Sequence, residues 1–585
     1  MDAILRGLAL SMLLTLAGPA EAQTAADLVQ PEAATGLSEA RTASAERQMV
    51  VAANPHAVAA GLEMLRDGGS AADALVAVQT VLGLVEPQSS GLGGGAFLLW
   101  YDAEDRTITT FDGRETAPAA AASALFLDET GEPLGFFEAV VGGRSVGTPG
   151  VVRLMEMVHR RHGRLAWEKL FEPAIALAEN GFQVSPRLAR LIAVDVARLG
   201  TEPSTRAYFF DGQGAPLAAG TRLVNRDYAA TLRKIATEGA AGFYEGAVAE
   251  AIVAAVQGHA GNPGILSLDD LAAYEAHERP PVCLAYRDHT VCGMGSPSSG
   301  GLTVGQILGM VSHFDLAALG PEDPQSWRVL GDATRLAFAD RGHYMADSDF
   351  VSMPKGLLEA GYLAARARLL FRENALPPEA VVPGEPPWDR AELRRVGINL
   401  AQPATSHFVI VDSAGNVASM TSSIENAFGA RLMAAGFLLN NQLTDFSFLP
   451  DENGRLVANR VEPRKRPRSS MSPTIILKEG QVVHALGSPG GSAIIPFVAN
   501  TIVALIDWNH DMAQAIAMPH RINRFGPYEL EAGTDAELLA DDLEALGYQT
   551  EVRALNSGLH GVTVLEDGGL FGAADPRREG IAAGD

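Results

Sequence analysis

The chain has 585 residues, enough for several domains or one large composite core. Forty-five Lys and Arg against 70 Asp and Glu leave a net charge of −25, which argues against a nucleic-acid binder, since phosphate recognition needs a basic face. With 47% hydrophobic and 20% charged residues the composition is that of an ordered globular protein; two cysteines, Cys283 and Cys292, exclude a disulfide-dense scaffold and a four-thiolate zinc site.

Behind Arg6 an apolar run from Gly7 to Gly18 is followed by Ala20-Glu21-Ala22, the small-x-small pattern of a signal-peptidase site. The mature chain is expected to begin at Gln23, after a signal over residues 1–22, and to be periplasmic or secreted. No later segment has the ~20 apolar residues of a membrane span. Pro55 to Leu84 carries two amphipathic helical patterns separated by Asp67-Gly68-Gly69-Ser70, where Gly ends one helix and Ser70 caps the next. The glycines of Gly91-Leu92-Gly93-Gly94-Gly95 precede a short apolar run, Ala96–Tyr101, that reads as a buried strand. A dinucleotide fingerprint has the opposite order, strand before glycines, so close backbone packing explains them better.

Residues 150–380 are dominated by helical periodicity, as in Val151–Val158 and Leu165–Ala178, with Pro and Gly at the breaks. His159-Arg160-Arg161-His162 reads as an exposed helix face. Cys283 and Cys292 flank a short predicted hairpin and could pair in an oxidising compartment; spacing does not fix their Cβ directions, and both outcomes stay open. Val381–Trp388, rich in Pro, marks an exposed linker before a strand-rich region. There, Ser406–Asp412 and Asn416–Ile424 form a predicted hairpin with Gly415 in the left-handed position of a three-residue loop. Thr474–Lys478 and Gln481–Leu486 form a second around Glu479-Gly480, and Gly487–Ser492 then opens the apolar helix Ala493–Ile506. Early helices and late hairpins suggest sheets covered by helices.

If Asp412 and Asn416 close the first hairpin, the register puts Thr405 directly opposite Ser423, two hydroxyls at a strand's start. A hydroxyl nucleophile needs a base, and an N-terminal threonine supplies one from its own α-amine, but only after the Ala404–Thr405 bond is cut. Spacing alone favours an ordinary cross-strand pair. Five separated motifs change that reading. Thr405-Ser406-His407-Phe408, Leu439–Ser447, Arg466–Thr474, Gly487–Ser492 and Phe111-Asp112-Gly113-Arg114-Glu115, in this chain order apart from the last, together resemble the γ-glutamyltransferase (γ-glutamyltranspeptidase, glutathione hydrolase) family of N-terminal-nucleophile hydrolases. The resemblance runs from about Val50 to the C-terminus.

It implies an α+β fold, an αββα four-layer sandwich formed jointly by two subunits of one self-cleaved precursor: a helix-rich large subunit, 23–404, and a strand-rich small subunit, 405–585. It implies Thr405 as nucleophile supported by Ser423, and an oxyanion hole at Gly490 and Gly491, where helix-start N–H groups lack intrahelical partners. For the γ-glutamyl group it implies Arg114, with Ser469 and Ser470, on the α-carboxylate, and Gln442 and Asp445 on the α-ammonium. Alone, Arg114 would read as a surface salt bridge with Glu115 or Asp112. Arg464-Lys465-Arg466 reads as a solvated loop face. The implied reaction is hydrolysis or transfer of γ-glutamyl groups from glutathione and similar amides to water, an amino acid or a peptide, with no cofactor and no metal.

Three departures bear on specificity. Glu425 stands where the best-known transferases have Asn, adding negative charge beside the substrate's charged groups. Ser423 replaces a threonine, keeping the hydroxyl and losing the methyl that restricts its rotamer. Phe446–Arg468 is shorter than a tyrosine-bearing lid and has no Tyr, which would admit bulkier γ-glutamyl or glutaryl amides. The alternatives are a glutaryl or cephalosporin acylase or a polyglutamate-acting member of the superfamily, and, in another class, a non-catalytic exported amino-acid-binding protein using Arg114. Ser352-Met353-Pro354-Lys355 has the S-x-x-K spacing of penicillin-binding enzymes without their companion motifs.

Overall fold

Strands buried on both faces need apolar side chains at odd and even positions alike. The strand Ala404–Val411 meets that demand: Phe408 and Ile410 enter one hydrophobic core while Val409 and Val411 enter another. The same split divides Val50 and Ala52 from Met49 and Val51, and Leu98 and Trp100 from Phe97 and Leu99. The computed structural model describes residues 40–388, 404–452 and 454–585. The export signal and the cut before Gln23 lie outside the described residues.

Two seven-stranded sheets carry the fold. One runs, edge to edge, through Ile581–Gly584, Met49–Ala52, Ala404–Val411, Val417–Glu425, Gly95–Asp102, Thr107–Gly113 and His277–Arg279. The other runs through Arg41–Ala45, Leu570–Ala574, His560–Val564, Gln481–Gly487, Thr474–Lys478, His289–Gly293 and Val282–Tyr286. Helices Pro55–Arg66, Ala71–Val85 and Val151–His162 pack on the outer face of the first sheet, and Arg226–Glu238 joins this layer from outside, its Tyr228 hydroxyl donating to the Thr80 carbonyl at 2.8 Å. Its inner face meets the second sheet, over which lie helices Gly300–Val311, Pro324–Tyr344 and Ile494–Ile506. The layers are therefore helix, sheet, sheet, helix, and both sheets draw strands from either side of residue 404.

Local expectations are met at several points. Ser70 caps Ala71–Val85 in a reciprocal box with Asp73. The first hairpin closes through Asp412, whose amide donates to the Asn416 carbonyl at 3.1 Å, with Gly415 at φ +85°. Cys283 and Cys292 face each other across their hairpin and are joined as a disulfide.

Three expectations need correction in part. Val381–Trp388 is exposed at Val382, Glu385 and Pro387, as expected, but it is tied down, because Gly384 donates to Asp340 at 2.8 Å and accepts from the Tyr344 hydroxyl at 2.6 Å. In Arg464-Lys465-Arg466 only Arg464 is exposed. The Lys465 ammonium is buried against the Ala458 carbonyl and Glu462, and Arg466 lies beside Asp112; charge-assisted bonds replace their hydration. In His159–His162 the arginines are exposed, but His159 meets the Leu165 carbonyl and the His162 ring stacks on Trp100 with centroids 4.3 Å apart.

Candidate active site

The first hairpin places the predicted nucleophile. Thr405 pairs with Ser423 in the expected register, but Ala404 pairs with Glu425, so Ile424 is the extra residue of a β-bulge centred on the Ala404–Thr405 bond. Thr405 is 2% exposed, and its side chain lies on the face turned toward the second sheet, like His407 two residues on. Its hydroxyl donates to Ser423 Oγ at 3.1 Å. Ser423 Oγ in turn donates to the Ala404 carbonyl at 2.8 Å and accepts from the Glu425 amide at 2.9 Å. Glu425 itself is left-handed, at φ +77°, a conformation that costs a non-glycine residue of order 1 kcal/mol or more.

Gly490 and Gly491 form the turn between the strand Gln481–Gly487 and the helix Ile494–Ile506, at φ +131° and +58°. Neither angle suits an L side chain. At the base of that turn Gly487 lies against the His407 ring, so close that a Cβ would collide with it. The turn therefore sits at the end of the second sheet that meets the start of the Thr405 strand.

Arg114 follows the strand Thr107–Gly113 and is 1% exposed. Its guanidinium bonds Asp445 directly and donates to the Pro467 and Arg468 carbonyls, at 3.1 and 3.4 Å. Gln442 donates to the same Asp445 oxygen at 2.8 Å. Residues predicted to hold opposite ends of a zwitterion thus form one buried pair. Ser469 and Ser470 adjoin the carbonyls that Arg114 uses, but their hydroxyls accept elsewhere, from the Met471 amide at 3.1 Å and from Arg341 at 2.7 Å.

Two further carboxyls flank this pair. Glu115 Oε2 lies 3.7 Å from Arg114, and burial pushes the Glu115 carboxyl up to about 8. Burial, and next the nearby Asp445, push Glu425 well above the usual carboxylate range. Asn441 donates to Glu425 Oε2, while Oε1 is buried without a partner. Sequence reasoning missed Asn441 as a member of the site, although it lies within a recognised motif. It also missed Arg578, which donates to the Thr405 carbonyl at 3.1 Å and to Ser557 at 2.6 Å. No periodicity or spacing signals that contact, which is made across 173 residues.

A hydroxyl pair at a bulged strand start, a glycine turn at a helix entrance and a buried Arg–carboxylate pair suit acyl transfer to or from an amide. The family model described as Gamma-glutamyltranspeptidase matches residues 57–585. The chain belongs to the γ-glutamyltranspeptidase family. It is 35% identical to the glutathione hydrolase proenzyme of Escherichia coli (strain K12), over 91% of each chain. It is 34% identical to the glutathione hydrolase proenzyme of Bacillus subtilis (strain 168), over 92% of this chain and 91% of that one. Acylase ACY 1 proenzyme of Pseudomonas sp. (strain SE83) is 33% identical, over 94% and 96%. Among solved structures, the cephalosporin acylase from Bacillus halodurans superposes with a TM-score of 0.81 over 95% of this chain and 99% of that one, at 24% identity, a likeness of fold. The Helicobacter pylori γ-glutamyltranspeptidase superposes with a TM-score of 0.55 at 35% identity, over 57% and 94%. The γ-glutamyltranspeptidase fold is thus an N-terminal-nucleophile hydrolase fold of the α+β class, and the chain is an enzyme of that kind.

Proposed function

We propose that this γ-glutamyltranspeptidase family member is an exported γ-glutamyl hydrolase or transferase that cuts itself before Thr405. The observation carrying the reading is the hydroxyl chain from Thr405 through Ser423 to the Ala404 carbonyl. In the precursor, Thr405 Oγ attacks the Ala404 carbonyl carbon, and the Ser423 hydroxyl stabilises the negative charge that develops on its oxygen. The C–N bond to Thr405 breaks as the Thr405 Oγ ester forms, and the hydroxyl proton passes to the departing nitrogen. Water then hydrolyses the ester, leaving subunits 23–404 and 405–585 and a free α-amine. In turnover that amine takes the Thr405 hydroxyl proton, Oγ attacks the γ-amide carbon, and the N–H groups of Gly490 and Gly491 receive the oxyanion. The leaving amine departs with the proton, and water or an acceptor amine releases the γ-glutamyl ester.

The buried Arg114–Asp445 pair supports a zwitterionic donor. A γ-glutamyl group brings a carboxylate for Arg114 and an ammonium for Asp445, so neither buried charge loses its partner when they separate. A glutaryl group brings only the carboxylate. That second reading draws on the acylase relative and on the short segment after Phe446. Mass spectrometry tests the cleavage: two chains, beginning at Gln23 and Thr405, are expected, and one full-length chain from Thr405→Ala. A Thr405→Ala chain that still divides, or an intact wild-type chain that binds glutamate without turnover, overturns it. Hydrolysis of γ-glutamyl-anilide faster than glutaryl-anilide supports the zwitterionic donor, and the reverse order supports an acylase.

A further inference from the structure

Beyond the reaction itself lies the question of why its base is a base. An α-amine ordinarily titrates at about 7.7–8.0, so near neutral pH most of it would be protonated and unable to accept the hydroxyl proton. Arg578, from the loop after the strand Leu570–Ala574, donates through Nη1 to the Thr405 carbonyl at 3.1 Å, and Nε of the same guanidinium donates to the Ser557 carbonyl at 2.6 Å. Cleavage breaks the bond on the nitrogen side of Thr405; the carbonyl that Arg578 holds lies on the other side and is untouched. A residue's own nitrogen and carbonyl oxygen are separated by three bonds, at most about 4 Å. The guanidinium nitrogen is therefore within about 7 Å of the new amine.

We propose that Arg578 is a positioning residue that both fixes the N-terminal threonine and holds its α-amine in the neutral, proton-accepting form by like-charge repulsion. This rests on the cleavage before Thr405 proposed above. Burial pushes the Arg578 guanidinium down to about 10, which still leaves it charged at neutral pH. Glu86, and next Asp575, are the carboxyls that oppose this lowering and favour the charged guanidinium. Burial pushes Glu86 up to about 8, with Glu579 adding to the effect, and holds Glu425 well above the usual range. Asp575 is engaged by Ser557, by the Leu559 amide and by Arg577, which also binds Glu531. The Glu579 carboxylate accepts from the Arg187 amide. His407 and His560 are kept neutral by burial, and Asp445 is paired with Arg114. A like charge at such a distance disfavours the protonated amine by about one pH unit.

The experiment is the pH dependence of Thr405 α-amine acetylation, followed by mass spectrometry of the N-terminal peptide of the mature small subunit, with the pH profile of kcat/KM for γ-glutamyl-anilide alongside. The wild-type amine is expected to titrate below the ordinary α-amino range. In Arg578→Gln both the labelling midpoint and the acidic limb of kcat/KM move up by about one pH unit, and Arg578→Lys restores them toward wild type. A wild-type amine at or above the ordinary range overturns the proposal even where Arg578→Gln fails to mature. So does an Arg578→Gln enzyme whose labelling midpoint is unchanged. A mature protein with no free amine at Thr405 overturns the cleavage reading instead, and this proposal with it.

Discussion

Ser423 Oγ stands between groups on either side of the Ala404–Thr405 bond: it accepts from the Thr405 hydroxyl at 3.1 Å and donates to the Ala404 carbonyl at 2.8 Å. The bulge makes this possible. Because Ile424 is the extra residue, Ser423 faces Thr405 while Glu425 faces Ala404, and the Glu425 amide fixes the Ser423 oxygen from behind. Removing the hydroxyl deprives the proposed self-cleavage of a donor to its oxyanion, a loss typically of ~10²-fold or more in rate. Ser423→Ala is expected to divide at least about 100-fold more slowly than wild type in a gel time course. Ser423→Thr keeps the oxygen and should divide at close to the wild-type rate.

The Arg114–Asp445 pair gives a second prediction. Truncating one member of a buried, hydrogen-bonded pair costs ~3–5 kcal/mol because the other charge is left uncompensated. Asp445→Asn keeps the shape and removes the charge, so it should lower the thermal midpoint and cut kcat/KM for γ-glutamyl-anilide by about 100-fold. Glutaryl-anilide, which has no ammonium, should lose much less. Equal losses on the two substrates would show that Asp445 does not read the amine.

Gly490 carries the third. At φ +131° it lies where L side chains rarely go, and a Cβ there would press on the Phe497 ring. Gly490→Ala must rotate the peptide or shift Phe497, and either movement turns backbone N–H groups away from the oxyanion position proposed above. A fall in kcat of roughly 10²-fold with KM nearly unchanged is expected in steady-state kinetics. A matching rise in KM would assign the turn to substrate binding instead.

The parts of this architecture that were legible in the sequence are local. A three-residue loop with Gly415 fixed the hairpin register, and with it the Thr405–Ser423 pairing, because strand periodicity allows no half steps. Helix caps such as Ser70 were legible for the same reason. The bulge was not: it depends on Ile424 donating to Ser89 and accepting from Asn441, contacts from distant segments. Lys465 and Arg466 were misread as solvated because composition reports charge and not the carbonyls and carboxylates that a fold brings to it. Arg578 was invisible for the same reason, since its partner Thr405 is far away along the chain.

Glu115 supplies a pH test. Its carboxyl is buried, neither oxygen has a hydrogen-bond partner, and burial lifts it to about 8, against the ordinary carboxylate value of roughly 4.3 expected in the unfolded chain. Between those values the unfolded chain has released this proton and the folded chain has kept it. The folded state therefore binds more protons, and stability falls as pH rises across that window. The contribution is fully present below about pH 4 and lost as pH passes about 8. Glu115→Gln removes the titration while keeping the volume. The thermal midpoint of the variant relative to wild type should climb steadily from pH 5 to pH 8.5, whatever its offset at pH 5. Glu86, lifted to about 8 by burial as well, leaves a residual slope in the variant. A constant difference between the two proteins across the range would mean that Glu115 is ionised in the folded state and that Arg114 holds it so.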